Sequence, residues 1–293
     1  MTAETSAASG EGPLAIICGG GSFPSAVADA VSGRGRRVVL FPLRGSADPA
    51  IAGRYPHHWV GLAQFGRFSR MAQAEGCRDV VLIGSVTRPA IRQLRPDLGT
   101  LRLVPRIVRL LRGGGDDQLL SGLGRIFEEH GFNLLGAHDV APEITLPAGV
   151  IGRYRPGPRD LEDIAFGLSL LATMAPFDVG QAVVVGERRA LAVEAAEGTD
   201  GMLGRVATLR REGRINLSNR VGVLVKAPKV GQERRIDLPS IGPRTVEAAA
   251  QAGLAGIAVI AGSTIAVEPE RMTELADKAG LFVAGVRDDG TLD

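Results

Sequence analysis

Apolar positions along the chain fall into short runs, and amphipathic stretches lie between them. In the first half, residues 13–18 (PLAIIC), 38–43, 80–83 and 132–135 are continuous apolar runs of strand length. Residues 25–31, 65–76 and 118–130 between them carry apolar side chains at helical spacing. Strands that alternate with helices in this way predict βα units and a parallel sheet buried on both faces. In the second half the pattern changes. A helix over 160–173 precedes two runs, 181–185 and 191–195, that flank Gly186-Glu187-Arg188-Arg189 as a hairpin. A helix from Thr199 or Asp200 to about Glu212 follows, with Thr199 as its N-cap. Then come a strand at 221–225, a long polar loop at 226–243, a helix at 244–252, a strand at 256–260, a helix at 268–279 and a strand at 281–283. The expected fold class is α/β: a Rossmann-like parallel-sheet N-terminal domain over 13–150 and a mixed α/β C-terminal domain over 151–287. The Gly-, Pro- and Arg-rich stretch 152–159 is the linker. Residues 1–12, small and polar, read as a disordered tail.

One stretch breaks the alternation. Residues 88–112 hold seven arginines and a single acid, Asp97. Leu101, Val104, Ile107, Val108 and Leu111 form an apolar stripe at helical spacing, and Arg102, Arg106 and Arg109 occupy another face. Pro105 is expected in the first turn of this helix. Two readings stay open: a helix lying in an anionic membrane interface, or a core-facing helix with solvated arginines.

Composition narrows the function classes. With 45% hydrophobic and 23% charged residues the chain is an ordinary globular sequence, and its net charge of +2 gives no electrostatic footprint for nucleic acid. Aromatics make up only 4%, so the core is expected to rest on aliphatic side chains. Cys18 and Cys77 each sit beside an apolar run and read as buried thiols in a reducing compartment. No apolar run approaches the ~20 residues that span a bilayer, and a cytoplasmic location is expected. His57 and His58 lack a metal-binding spacing.

The candidate chemistry lies in loops. Gly19-Gly20-Gly21-Ser22-Phe23-Pro24 joins the first strand to the first helix, where backbone N–H groups favour a phosphate. The dinucleotide fingerprint is incomplete, because Pro24 stands at the third glycine position and Leu43-Arg44-Gly45 offers no acid for a ribose. A bound nucleotide or sugar phosphate fits better than NAD, and a purely structural turn stays open. Asp116 and Asp117, after three glycines, and Gly136-Ala137-His138-Asp139 are cap residues or further polar contributors. The richest segment opens with Glu197-Gly198-Thr199-Asp200 and closes with residues 226–243. Lys226, Lys229, Arg234 and Arg235 can neutralise phosphates. Asp200, Glu197, Glu233 and Asp237 can hold Mg²⁺ together with substrate phosphates. Asp200 reads equally as an acid that starts a helix. No G-x-S-x-G, Walker A or H-E-x-x-H is present.

Together these segments resemble the UDP-2,3-diacylglucosamine pyrophosphatases of the lipid A pathway, the type formerly known only as a domain of unknown function. The resemblance covers nearly the whole chain after the tail. Its most specific piece is Lys226-x-x-Lys229-x-x-Gln232-Glu233-x-Arg235-x-Asp237-Leu238-Pro239-x-Ile241-Gly242-Pro243-x-Thr245. One departure is Glu233, where the family commonly has Asp, and this makes Glu233 a weaker metal ligand than Asp200 or Asp237. The resemblance implies Mg²⁺-dependent hydrolysis of UDP-2,3-diacylglucosamine to UMP and 2,3-diacylglucosamine 1-phosphate (lipid X), with water attacking the sugar-side phosphorus. It implies two domains that enclose the lipid-linked UDP-sugar, a homodimer, and transient contact with the inner membrane. Within that reading Asp200, Lys226 and Asp237 are the catalytic candidates, and Asp200, Glu197 and Asp237 are the metal candidates. Gly20, Gly21, Ser22, Phe23, Pro24, Thr199, Lys229, Gln232 and Arg235 are the substrate-binding candidates. The alternative is a non-catalytic module that binds a nucleotide sugar.

Overall fold

The computed structural model describes residues 12–86, 94–113, 116–218, 220–229 and 231–292, with side chains described outside 111–118. The expected tail, the arginines at 88 and 92, and the side chains of Arg112, Asp116 and Asp117 lie outside the described residues. The chain divides into two compact units, Met1–Ala141 and Pro142–Asp293.

The first unit runs β1 (Leu14–Cys18), α1 (Phe23–Gly33), β2 (Val38–Pro42), the short α2 (Pro49–Ala52), α3 (Phe65–Ala74), β3 (Asp79–Ile83), α4 (Leu98–Gly113), α5 (Asp116–Glu129), β4 (Asn133–Leu135) and the short α6 (Ala137–Val140). Its sheet has the order β2-β1-β3-β4, and every pairing is parallel, as the alternation predicts. The strand order reverses between β1 and β3. The crevice outside the carboxyl ends of two such strands is where open α/β sheets bind ligands.

Aromatics are scarce in the chain but concentrated here. Phe65, Phe68, Phe127 and Phe132 gather with Phe41 under one sheet face, with ring centroids 4.8 Å apart for Phe41–Phe68 and 5.5 Å for Phe68–Phe127. The expectation that the core rests on aliphatic side chains is therefore corrected for this unit. Each ring buries more area than an aliphatic side chain, and edge-to-face pairing adds to the burial.

Helix α4 departs from its sequence reading in two ways. It continues through Pro105 instead of starting there. Its N-terminus is set earlier by Asp97, whose carboxylate accepts from the Thr100 amide and hydroxyl (both 2.8 Å) and the Arg67 amide (2.6 Å). Burial raises the Asp97 carboxyl, but these hydrogen bonds outweigh it and hold the group below its usual range. The proposed apolar stripe also splits. Leu101 and Val104 are exposed, whereas Ile107, Val108, Leu103 and Leu110 are half-buried.

The second unit contains β5 (Gly149–Ile151), α7 (Pro158–Met174), β6 (Ala182–Gly186), β7 (Arg189–Val193), α8 (Gly198–Arg211), β8 (Val223–Lys226), β9 (Ser240–Ile241), α9 (Pro243–Gln251), β10 (Gly256–Ile260), β11 (Ile265–Ala266), α10 (Pro269–Ala279) and β12 (Phe282–Val286). The main sheet, β5-β12-β10-β8-β6-β7, is parallel in its centre and antiparallel at both sides. Strand β5 pairs with β12, so the sheet of this unit begins ahead of the 152–159 stretch and ahead of the expected 150/151 boundary.

Period-two alternation divides the strands between two cores. Val223 and Val225 of β8 pack with Ile164 and Leu171 of α7, while Leu224 packs with Met202, Leu203 and Val246 of α8 and α9. By the same parity Lys226 projects to the α8–α9 side. Among the described residues no helix is long and apolar enough to cross a membrane.

Candidate active site

Lys226 is the last residue of β8 and only 9% exposed. Its ammonium donates to Thr199 Oγ1 (3.0 Å) and to the Ser240 carbonyl (3.1 Å). Burial drives its pKa below the ordinary lysine value, and the negative charges of Glu194, Asp200 and Asp237 oppose that fall. Burial and the surrounding acids thus act on this side chain in opposite directions.

Thr199 was expected to cap α8. The N-cap is instead Glu197, which makes no side-chain cap bond. Gly198, with φ of +73°, turns the chain into the helix and places Thr199 one residue inside it. The Thr199 hydroxyl is thereby released from capping and donates to Glu194 Oε1 (2.7 Å). Glu194 Oε2 in turn accepts from the Gln181 amide (2.8 Å). The result is a relay, Glu194–Thr199–Lys226, in which each side chain fixes the next.

The relay borders a cleft of about 720 Å³. The first turns of α8 and α9 both line it, through Thr199 and Asp200 and through Arg244 and Thr245. Two helix N-termini line one space, and the positive ends of their dipoles suit an anion. The walls carry both signs of charge: Glu197, Asp200, Glu247 and Glu268 against Lys226, Arg244 and Arg271. Asp200 is paired with Arg244 (2.8 Å) and Glu197 with Arg205 (2.9 Å), both pairs on exposed residues. These contacts are worth little individually in water and are easily exchanged for a bound phosphate.

The loop after Lys226 is organised by Gln232. This buried amide accepts from the Lys229 backbone N–H (2.9 Å) and donates to Asp237 Oδ2 (2.5 Å). The Lys229 ammonium pairs with Asp178. Arg235 grips Glu233 with two hydrogen bonds of 2.7 Å, which together with its charge hold the Glu233 carboxyl below the usual range against the opposing effect of burial. Glu233 is thus engaged by an arginine, in keeping with its weaker standing as a metal ligand.

The structure thus joins Thr199 to Lys226 and places Asp200 and Glu197 on the same cleft. Lys229, Gln232 and Asp237 form a second connected group, and Arg235 is tied to Glu233. Among the described residues no three His, Cys, Asp or Glu side chains cluster closely enough to hold a metal by themselves. The donor set still fits Mg²⁺ bound by one or two carboxylates plus substrate phosphates, with Asp200 and Glu197 already on the wall.

In the first unit, Gly20 donates to the Ser85 carbonyl (2.7 Å) and accepts from the Ser85 amide (2.9 Å). A side chain on Gly19 would sit 2.4 Å from the Ser85 carbonyl oxygen. The glycines at 19 and 20 therefore serve a close approach of two backbones, and the Gly20 N–H is not offered to a ligand. Gly21 (φ +91°) and Ser22 are exposed and Phe23 is half-buried at the start of α1, while Pro24 packs beside Cys18. Asp139 accepts from the Gly136 amide (3.0 Å) and so caps α6. Burial pushes the Cys18 thiol up to about 12 and the Cys77 thiol up to about 11, so neither is a ready nucleophile.

Sequence reasoning passed over Glu194, Asp178, Arg244 and Arg271. Glu194 stands beyond the second hairpin strand with no motif around it, and only its hydrogen bond to Thr199 marks it.

Comparison with known proteins gives the family. Residues 13–144 match the family model of the LpxI N-terminal domain and residues 147–284 that of the LpxI C-terminal domain. UDP-2,3-diacylglucosamine pyrophosphatase LpxI of Caulobacter vibrioides is 44% identical over 273 residues, covering 93% of this chain and 97% of that protein. Two family models spanning both units, with a relative aligned almost end to end, place this chain in the LpxI family.

Proposed function

We infer that this protein is a UDP-2,3-diacylglucosamine diphosphatase, cleaving its substrate with water into UMP and 2,3-diacylglucosamine 1-phosphate in lipid A biosynthesis. The observation that carries this reading is the buried Lys226, held by Glu194 and Thr199 at a cleft where two helix N-termini converge.

A diphosphate needs charge neutralisation and in-line positioning more than covalent catalysis. The Lys226 ammonium has two of its three N–H bonds committed to Thr199 and Ser240, leaving one for a phosphoryl oxygen. The amides of the α8 and α9 first turns add fixed partial positive charge. Arg244, released from Asp200, binds a phosphate oxygen, and the freed Asp200 carboxylate orients the attacking water and takes its proton. The water oxygen forms a bond to the sugar-side phosphorus, and the bridging oxygen leaves with UMP. Lys229, Gln232 and Asp237 brace the loop behind Lys226. Mg²⁺ would be held by Asp200 and Glu197 together with the substrate phosphates and would supply further neutralisation of them, while Asp237 stays engaged with Gln232. Gly21, Ser22 and Phe23 at the α1 N-terminus contribute to nucleotide binding. Work at a membrane surface and assembly as a homodimer belong to the same reading, supported by the family resemblance and the lipid nature of the substrate.

The position of attack is tested by turnover in ¹⁸O-labelled water followed by mass spectrometry. Label is expected in 2,3-diacylglucosamine 1-phosphate. Label in UMP would reverse the assignment of the attacked phosphorus, and binding without turnover would favour a nucleotide-sugar sensor.

A further inference from the structure

We propose that the outer face of α4 is a membrane-docking surface that seats the protein on an anionic bilayer. Leu98, Leu101 and Val104 are 80%, 49% and 37% exposed. They follow one another at i, i+3 and i+6, which places them along one side of the helix. Isolated surface leucines need no explanation, but a contiguous apolar row does.

The polar residues around the row are cations. Arg102 and Arg109 lie at i+4 and i+11 from Leu98 and are exposed, and Arg95 is exposed just ahead of the helix. Asp97, the only acid between residues 94 and 110, is turned inward and consumed in capping α4. Arg106 pairs with Glu129 of α5 on another side. The remaining side is the packed one: Leu110 lies so close to Gly122 of α5 that a side chain there would sit 2.3 Å from it. Pro105 lies on the exposed side with Leu101. It removes the N–H that the Leu101 carbonyl would accept in a helix, so that carbonyl is left to water or a lipid headgroup.

An apolar row edged by arginines matches the boundary between acyl chains and anionic headgroups. A second copy of the same face matches less well. A twofold contact would set the arginine edges of two identical surfaces near each other, with no acid from α4 to offset them. The inference rests on the hydrolase reading for its purpose, because a diacylated substrate has to be collected from a bilayer.

The test compares the wild type with Leu98→Ser/Leu101→Ser and with Arg102→Gln/Arg109→Gln. Binding is measured to phosphatidylglycerol/phosphatidylethanolamine vesicles and to phosphatidylcholine vesicles. Hydrolysis is measured on vesicle-borne substrate and on substrate in detergent micelles, and solution mass by light scattering. The wild type is expected to prefer the anionic vesicles. Each double variant should bind them about tenfold more weakly, turn over vesicle-borne substrate more slowly, and keep wild-type turnover in micelles. Undiminished vesicle binding by both variants overturns the proposal. A fall in solution mass in the leucine variant overturns it in favour of a contact between copies. Absence of wild-type turnover in micelles would instead defeat the hydrolase reading, leaving the vesicle result to decide the surface by itself.

Discussion

Lys226 is the residue whose surroundings say most about chemistry. It is buried at a strand end, and three acids offset the cost of keeping it charged. Glu194 stands first among them and also receives the Thr199 hydroxyl that receives Lys226. Replacing Glu194 with Gln removes a negative charge beside the ammonium while keeping the side-chain shape. The Lys226 pKa should then fall further, because the remaining acids, Asp200 and Asp237, oppose burial less completely. The expected outcome is an alkaline limb of kcat/KM displaced to lower pH and a kcat/KM reduced about tenfold, equivalent to ~1.4 kcal/mol. A merely structural role for Glu194 would lower activity without moving that limb. The clustering of Lys226, Thr199 and Asp200 was legible in the sequence because all three lie in the most polar segment of the second half. The pairing of each acid with a particular arginine was not, since Arg205 and Arg244 are ordinary helix residues until the fold brings them to Glu197 and Asp200.

At the level of elements, the strands were legible because a buried strand needs a short apolar run whatever surrounds it. The β6–β7 hairpin was legible as well, but what holds its turn was not. The β6–β7 hairpin turns through Glu187 and Arg188, both with positive φ (53° and 56°) and neither of them Gly or Asn. Such a turn is disfavoured locally. It is held by Asp163 of α7, 3% exposed, whose carboxylate accepts from the Glu187 amide (3.2 Å) and the Arg188 amide (2.6 Å). Asp163→Ala should therefore destabilise the protein by ~1–3 kcal/mol, read as a lower midpoint in urea. Arg188→Gly, which relieves the backbone, should recover part of the loss, and an unchanged midpoint in Asp163→Ala would remove this account of the turn. Helix α4 was misread for a related reason. Spacing alone reports that a helix is amphipathic but not which side meets the protein, and the capping of Asp97 into α3 turned Leu98 and Leu101 outward. The Gly19–Gly20 turn has the composition of a phosphate loop, yet its Gly20 amide is used by Ser85.

Across the whole molecule, the two units have different sheets and different cores. The first is parallel over a phenylalanine cluster, and the second is mixed, with an aliphatic layer on one face and a mainly aliphatic layer around Phe282 on the other. The change from one to the other was visible as a change in apolar pattern. Its position was not, because Gly149–Ile151 is too short a run to announce itself as an edge strand and the Gly/Pro-rich stretch that follows draws the eye. The functional reading belongs to the second unit, where the relay and the cleft coincide. The most direct test is UMP release from UDP-2,3-diacylglucosamine by the wild type and by Lys226→Met, with circular dichroism to check that both are folded. The account predicts steady UMP release by the wild type and a loss of at least ~100-fold in the folded variant, the scale for removing one charge stabiliser from a phosphoryl or acyl transfer site. Wild-type rates in folded Lys226→Met would contradict it.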